Sequence, residues 1–345
     1  MDACLPRSQP PLRLGALLAA VLLAAVAVAG CGTTESIRIT PQPGATGSAL
    51  PPSTATPEPS PSPAFPVSLT DDEGTEVEIP AEPQQIVSLT PASTEILFAL
   101  GVGDRIVGRV EDITIFPPEA GPIPEVAGFG TVNIEAIVGL EPDLVIAGGN
   151  FFTPPEGIER LRSVGIPVLV VYAPDVETVF ADIELTGRAT GRAAEAVALA
   201  ESLRAEFDAV AAATADLERP RVFYELDATG AIYGPADDSF LAEMIALAGG
   251  DPITTGSPDA FEIPLERLIE ADPEVVLLGD AAYGVTAEAV AARAGWNVMT
   301  AVRDGAIRPT EDVIITRPGP RLGDGLRSLA LAIHPDLDLP AEGGG

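Results

Sequence analysis

The sequence predicts an α/β protein of two α/β lobes, each with a central, mostly parallel sheet flanked by helices, joined by a single long helix. Three observations carry this. Short apolar runs alternate with helix-patterned runs from about residue 86 to 172, and again from 221 onward. Between these stretches, residues 176–217 form one alanine-rich segment without proline, including GRAAEAVALAESLRAEFDAVAAATADL. Finally, one sentence is written twice. NIEAIVGLEPDLVIAGG (133–149) and PLERLIEADPEVVLLGD (264–280) align without a gap, sharing Glu135 with Glu266, Pro142 with Pro273, Val145 with Val276 and Gly148 with Gly279. Strand–helix alternation argues for a parallel sheet. A repeat on either side of the long segment argues for two similar lobes, although ordinary helix–turn–strand grammar also produces such likenesses.

The elements follow in order. VSLTDDEGTEVEI (67–79) is two alternating runs around Asp72-Glu73-Gly74, a hairpin. IVSLT (86–90) is a short buried strand leading through Pro91 and Ala92 into the helix STEILFALG, with Ser93 as the expected cap and Gly101 as its end. RIVGRV (105–110) is a strand, followed by the loop EDITIFPPEA. NIEAIVGL is a helix, DLVIAGG a strand, PEGIERLRSVG a helix and PVLVVY (167–172) a strand. The long helix covers 175–218, with Gly187 and Gly191 able to break or bend its start. Then RVFYELD (221–227) is a strand, DSFLAEMIALAGG a helix capped by Asp238 or Ser239, PLERLIEA a helix and EVVLLGD a strand. TAEAVAARAG and RLGDGLRSLALAI (321–333) are the last helices. The expected lobes are therefore 67–174 and 219–337, with a tail at 338–345.

The first 66 residues read differently. Arg7 and Arg13 precede LGALLAAVLLAAVAVAGC, a short basic region followed by an apolar run ending in small residues, as in a secretory signal. Val28-Ala29-Gly30-Cys31 is similar to a bacterial lipoprotein signal, in which residues 1–30 are removed and Cys31 carries the lipid. The alternative is an uncleaved span, for which the apolar run is at the short limit. Residues 31–66 are rich in Pro, Ser, Thr and Gly (PPSTATPEPSPSPAFP), too poor in apolar periodicity to fold, and read as a tether.

Composition excludes several functions. The formal net charge is -32, and all 19 basic residues are arginine. Clustered cations for nucleic acid are missing, and without lysine there is no phosphate-binding P-loop. The 2 cysteines, Cys4 and Cys31, lie before the body of the chain, and His334 is the 1 histidine. A histidine zinc cage and a Ser–His–Asp triad lack their material, and no G-x-S-x-G elbow is present. No catalytic residue, metal or cofactor is expected. A carboxylate-pair hydrolase remains as an alternative, because acidic residues are everywhere.

IVSLTPASTEILFALGVGDRIVGRVEDITIFPPEA, followed by NIEAIVGLEPDLVIAGG, resembles the N-terminal lobe of substrate-binding lipoproteins of ABC importers for cobalamin, haem and iron–siderophores. RVFYELDATGAIYGPADDSFLAEMIALAGG (221–250) and RPGPRLGDGLRSLALAIHP resemble the matching C-terminal lobe. The resemblance covers about residues 67–335 and is nearest to the cobalamin branch. It implies a ligand cleft between the lobes and a permease dimer with a cytoplasmic ATPase as partner. It also implies a monomer held by Cys31 on the outer face of the cytoplasmic membrane. Glu135 and Glu266 match the acidic residues that dock into arginine pockets of the permease. Alternatively they only complement helix dipoles, worth about 0.3–1 kcal/mol each.

In such sheets ligands meet the loops after the carboxyl ends of strands. That points to Thr90, Pro91, Glu111, Asn150 and Asp227, with Phe129, Phe151, Phe152, Tyr233, Phe261 and Tyr283 for the faces of a flat macrocycle. Arg317 is the expected cation of the cleft, ahead of Arg109 and Arg321. With Glu111, Asp227 and Asp280 nearby, the expected ligand is a cobalt corrinoid, cobalamin or cobinamide. The alternatives are an iron chelate or haem in the same class, or a lipid-anchored sensor or scavenger without a permease. Where known cobalamin binders tend to have tryptophan or tyrosine, this chain has Glu111-Asp112, Gly149-Asn150 and Phe129. Trp296 reads as a packing residue.

Overall fold

A computed structural model describes residues 65–150 and 152–339. The signal segment, Cys31, the tether up to residue 64, Phe151 and residues 340–345 lie outside them. Strands β1 (Val67–Thr70) and β2 (Glu76–Ile79) form the expected antiparallel hairpin. The first lobe follows as β3 (Ile86–Ser88), α1 (Pro91–Ala99), β4 (Ile106–Val110), β5 (Glu125–Gly128), β6 (Thr131–Val132), α2 (Ile134–Gly139), β7 (Leu144–Gly148), α3 (Pro155–Ser163) and β8 (Val168–Val171). Helices α4 (Val176–Thr190) and α5 (Ala193–Thr214) lead to the second lobe. It contains β9 (Arg221–Glu225), α6 (Phe240–Leu247), β10 (Asp251–Pro252), α7 (Leu265–Ala271), β11 (Val275–Leu278), α8 (Ala287–Ala291), α9 (Thr300–Asp304), β12 (Ile307–Pro309), α10 (Asp312–Thr316) and α11 (Leu322–Ile333).

Among the described residues the first sheet runs β6-β5-β4-β3-β7-β8 and the second β10-β9-β11-β12. All pairings except β5–β6 are parallel. The two share one topology. In each, the first strand is flanked by the strand that follows the first helix and by the strand that ends the repeated segment. A further strand lies outside the latter. β7 and β11 thus hold the same place, as the repeat predicts.

The likeness extends to atoms. Glu141 and Asp272 occupy the same repeat position, just before the shared proline, and both are left-handed at φ 49° and 46°. One residue after that proline, the Asp143 carboxylate accepts the N–H groups of Gln84 and Gln85 at 2.8 and 3.0 Å. The equivalent Glu274 carboxylate accepts the N–H of Arg221 at 2.9 Å. Each acid thereby pins the start of its lobe's first strand beside the repeated one. Turn chemistry alone does not produce matched tertiary contacts, so the repeat is structural.

The stretch expected to be one helix is two. Gly191 is left-handed, φ 73°, and its N–H closes α4 on Gly187 O. A residue free to adopt that conformation ends the helix and lets the chain turn back. Arg204 on α5 reaches Glu177 and Glu184 on α4 at 2.8 and 3.2 Å, and Phe180 meets Phe207 edge-on at 5.5 Å, so the pair is an antiparallel hairpin. The 22-residue α5 alone leads out of the hairpin towards the second lobe. Ser93 does not cap α1; Thr90 does, with Pro91 in the first turn. Proline forces its predecessor extended and suits the first helical position, which moves the start back.

Successive strand residues face opposite layers, as the period of two requires. Val87, Val145, Val168 and Val170 enter a core private to the first lobe, and Phe223, Val276 and Leu278 one private to the second. Ile86, Leu144, Ile146, Leu169, Val222, Tyr224 and Leu277 face a third core, which runs continuously through α1, α4, α5, α6 and α11. The lobes are therefore fused along one side.

Candidate functional site

At the carboxyl ends of the sheets a line of charges joins the two lobes. In the first lobe, Glu95 on α1 is buried, 2% exposed. It accepts a bond from Arg317 Nη1 at 2.7 Å and from Arg321 Nε and Nη2 at 2.9 and 2.6 Å. Asp112, two residues past β4, receives both forks of Arg317 at 3.1 and 3.0 Å. The Arg321 guanidinium lies 4.0 Å above the Phe116 ring. Both arginines belong to the second lobe, after α10. Bidentate guanidinium–carboxylate contacts are the strong and directional ones. Asp112 lies in the Glu111-Asp112 loop expected at the cleft, whereas Glu95 was not among the expected site residues. Glu95 was signalled only by being an acid in the otherwise apolar run EILFALG.

Thr90 and Pro91 are half-buried at the start of α1, where Thr90 Oγ1 accepts Ser93 N–H at 3.0 Å. Phe129, on the β5–β6 turn, is 83% exposed, and Phe152, after β7, is 50% exposed. Their rings meet perpendicularly at 5.8 Å, so two loops jointly present one aromatic edge. Gly148 permits this: a Cβ there would lie 2.6 Å from Thr90 Cγ2 and 2.9 Å from Phe152 Cβ. Asn150 is left-handed, φ 51°, and donates to Tyr172 Oη at 2.9 Å. Glu111 is exposed and lines an open groove of about 520 Å³ with Glu125, Asn133 and Glu135. The β4–β5 loop adds Ile113, Ile115 and Phe116, exposed and not anticipated.

In the second lobe, Asp227, Tyr233 and Glu262 form an irregular antiparallel ladder, and Gly234 N–H bonds Phe261 O at 2.9 Å. This brings Tyr233 and Phe261 to neighbouring segments, both with exposed rings. Asp227 caps its own turn through Thr229 Oγ1 at 3.0 Å. Tyr283, 74% exposed, ends a short 3₁₀ turn that follows β11. All the expected aromatic contacts among the described residues are thus exposed and on carboxyl-end loops. Trp296 is buried in the second lobe's core, as expected.

The remaining arginines near these loops are engaged as well. Arg293 forks onto the fully buried Glu225, one contact being 2.8 Å. Arg109 bonds Ala120 O, Val110 O and Glu125 at 3.0, 2.8 and 3.0 Å, stapling its own loop. Asp280, at the end of β11, is buried with both carboxylate oxygens lacking a donor. Burial, then the Glu225 charge, pushes its carboxyl up to about 6. Arg317 therefore faces carboxylates of the opposite lobe rather than open solvent.

Glu135 stands in the first turn of α2, where Asn133 Oδ1 accepts Ala136 N–H at 3.0 Å, and Glu266 stands in the first turn of α7. Both are exposed. Glu135 has only a loose contact with Arg160 at 3.8 Å. It shares the groove with Glu111, so it lies on the same side of the lobe as the aromatic edge.

A family model described as periplasmic binding protein matches residues 86–312. An ABC transporter substrate-binding lipoprotein of Bacillus subtilis, YvrC, is 32% identical over 92% of this chain and 96% of its own. A cobalamin-binding protein of Halobacterium salinarum is 32% identical over 79% of this chain and 75% of its own. Among solved structures, the apo haem-binding protein RhuT of Roseiflexus is 27% identical with TM-score 0.65, over 73% of this chain and 98% of that one. The vitamin B12-binding protein BtuF of Vibrio cholerae is 25% identical with TM-score 0.64, over 73% and 97%.

Proposed function

We propose, from the premise that this chain belongs to the periplasmic binding protein family, that it captures a corrinoid, cobalamin or cobinamide, between its two lobes. It is the substrate-binding protein of an ABC importer in the class that takes up cobalamin, haem and siderophores. In this reading it is anchored outside the cytoplasmic membrane through Cys31 and hands its ligand to a permease by way of Glu135 and Glu266.

One observation carries the choice of ligand. The carboxyl-end loops of both lobes expose aromatic rings, while the arginines Arg109, Arg293, Arg317 and Arg321 are each paired with a carboxylate. Glu111 remains exposed. Such a surface suits a wide, flat ligand with apolar faces and uncharged amides at its rim. It disfavours a ligand carrying several negative charges. The cobalamin-binding relative supports the same choice.

The test is retention of colour. The purified protein is incubated with cyanocobalamin, dicyanocobinamide, haemin and a ferric catecholate, desalted, and read by visible absorbance. Corrinoid bands in near-stoichiometric amount are expected. Retention of haemin or the catecholate alone moves the assignment within the class, and retention of none of the four refutes it.

A further inference from the structure

We propose that Glu95 and Asp112 are specificity-determining residues: by neutralising Arg317 and Arg321 across the lobes, they bar anionic macrocycles and chelates from the cleft. This rests on the reading that the carboxyl-end loops hold the ligand. The two guanidiniums and two carboxylates form one ion set across the lobes, and the charge of Asp324 acts on Arg321 as well. Glu95 takes one fork of Arg317 and two donors of Arg321, and Asp112 takes both forks of Arg317. The Arg317 side chain is 13% exposed and that of Arg321 22%. Both reach the surface, Arg321 in a groove along α11 beside Glu311 and Asp324, and both already face carboxylates.

A need to join the lobes does not account for this choice. The continuous apolar core already fuses them. A buried ion set is a poor source of stability beside well-packed apolar groups, because its desolvation offsets most of its attraction. What it does supply is charge discrimination. A ligand carboxylate approaching Arg317 or Arg321 meets Asp112 and Glu95 already in the donor positions, and Glu111 nearby repels it. Rejection of the wrong ligand through occupied donors and like charge is a standard route to specificity. Removing the two carboxylates leaves Arg317 without its paired counter-charges and Arg321 with Asp324 in its field, a deficit centred on Arg317 that an anionic ligand then supplies.

The experiment compares the full wild-type chain with the Glu95→Gln/Asp112→Asn variant, purified in a non-ionic detergent. The probes are haemin, whose two propionates are charged, and haemin dimethyl ester, whose are not. The variant is expected to bind haemin at least about tenfold more tightly than the wild type, a difference of the size that one charge-assisted pair provides. The ester should show no such gain. Equal haemin affinity in both proteins overturns the proposal, and so does a gain shared by the ester, which reports a loosened cleft. If the double variant loses cooperative melting, Asp112→Asn alone frees one fork of Arg317 and should still favour haemin over its ester; absence of that preference also overturns it. Cyanocobalamin retention by the wild type reports separately on the ligand. Loss of retention with a haemin-selective gain keeps the charge gate and discards the corrinoid, whereas retention without the gain does the reverse.

Discussion

Asp182 is the most strongly perturbed carboxyl with a clear structural cause. It sits on α4, buried, with one oxygen lacking a donor and the Thr186 hydroxyl unpaired nearby. Burial, then the charge and hydrogen bond of Asp72 and the charge of Asp175, push it up to about 9 from an ordinary value of 3.8. Kept protonated, it avoids a second buried negative charge beside Asp72. A carboxyl raised in the folded state binds its proton more tightly there than in the unfolded chain. Its stabilising effect is complete below about pH 4 and is lost progressively as pH rises to about 9. Asp182→Asn keeps a donor without a titrating proton. We expect its melting temperature to exceed the wild type's by a few degrees at pH 8, with the gap closing towards pH 5. Parallel melting curves across that range would exclude a raised Asp182. No local pattern announced this residue, because its partner Asp72 lies in a hairpin turn far back in the chain.

At the scale of elements, the duplicated segment is the part most legible beforehand. Its helix, left-handed turn, proline and strand are local features, and Asp143 and Glu274 show that the same local sentence also makes the same tertiary contact. The hairpin α4–α5 was legible only in part. Gly191 marks the break, but a glycine in an alanine-rich run is compatible with a bend, a cap or an uninterrupted helix. The packing of α4 on α5 decides among them. A Cβ on Gly187 would lie 2.2 Å from Ala196 Cβ and 2.8 Å from Arg192 O. Gly187→Ala should therefore cost about 1–3 kcal/mol through overpacking, read as a lower urea midpoint at unchanged slope. A neutral or stabilising effect, as expected for an alanine in an open helix, would argue against the tight crossing.

For the molecule as a whole, the shared core ties the two lobes together, and Glu135 and Glu266 present one exposed carboxylate on each, the pair on which the proposed permease docking rests. Two separated charge contacts define an orientation where one does not, and guanidinium pockets read carboxylates by geometry. Reversing both, Glu135→Arg with Glu266→Arg, should abolish permease-dependent uptake while corrinoid affinity in solution is unchanged. Uptake at the wild-type rate would reduce the pair to helix-start acids, worth only fractions of a kcal/mol to stability.

The sequence by itself determined the alternation of strands and helices, the two-lobed plan, the repeated unit with its glutamates, and the exposed aromatic loops. These follow from periodicity, proline and glycine positions and the repeat, all of which act over a few residues. Only the tertiary structure decided that the linking segment folds back on itself and that the lobes share a core. It alone brought Arg317 and Arg321 against Glu95 and Asp112, partners more than 200 residues apart in the chain. Pairing over such separations depends on how sheets and helices stack. A linear pattern of charges names the candidates for it but does not choose between a ligand and the opposite lobe.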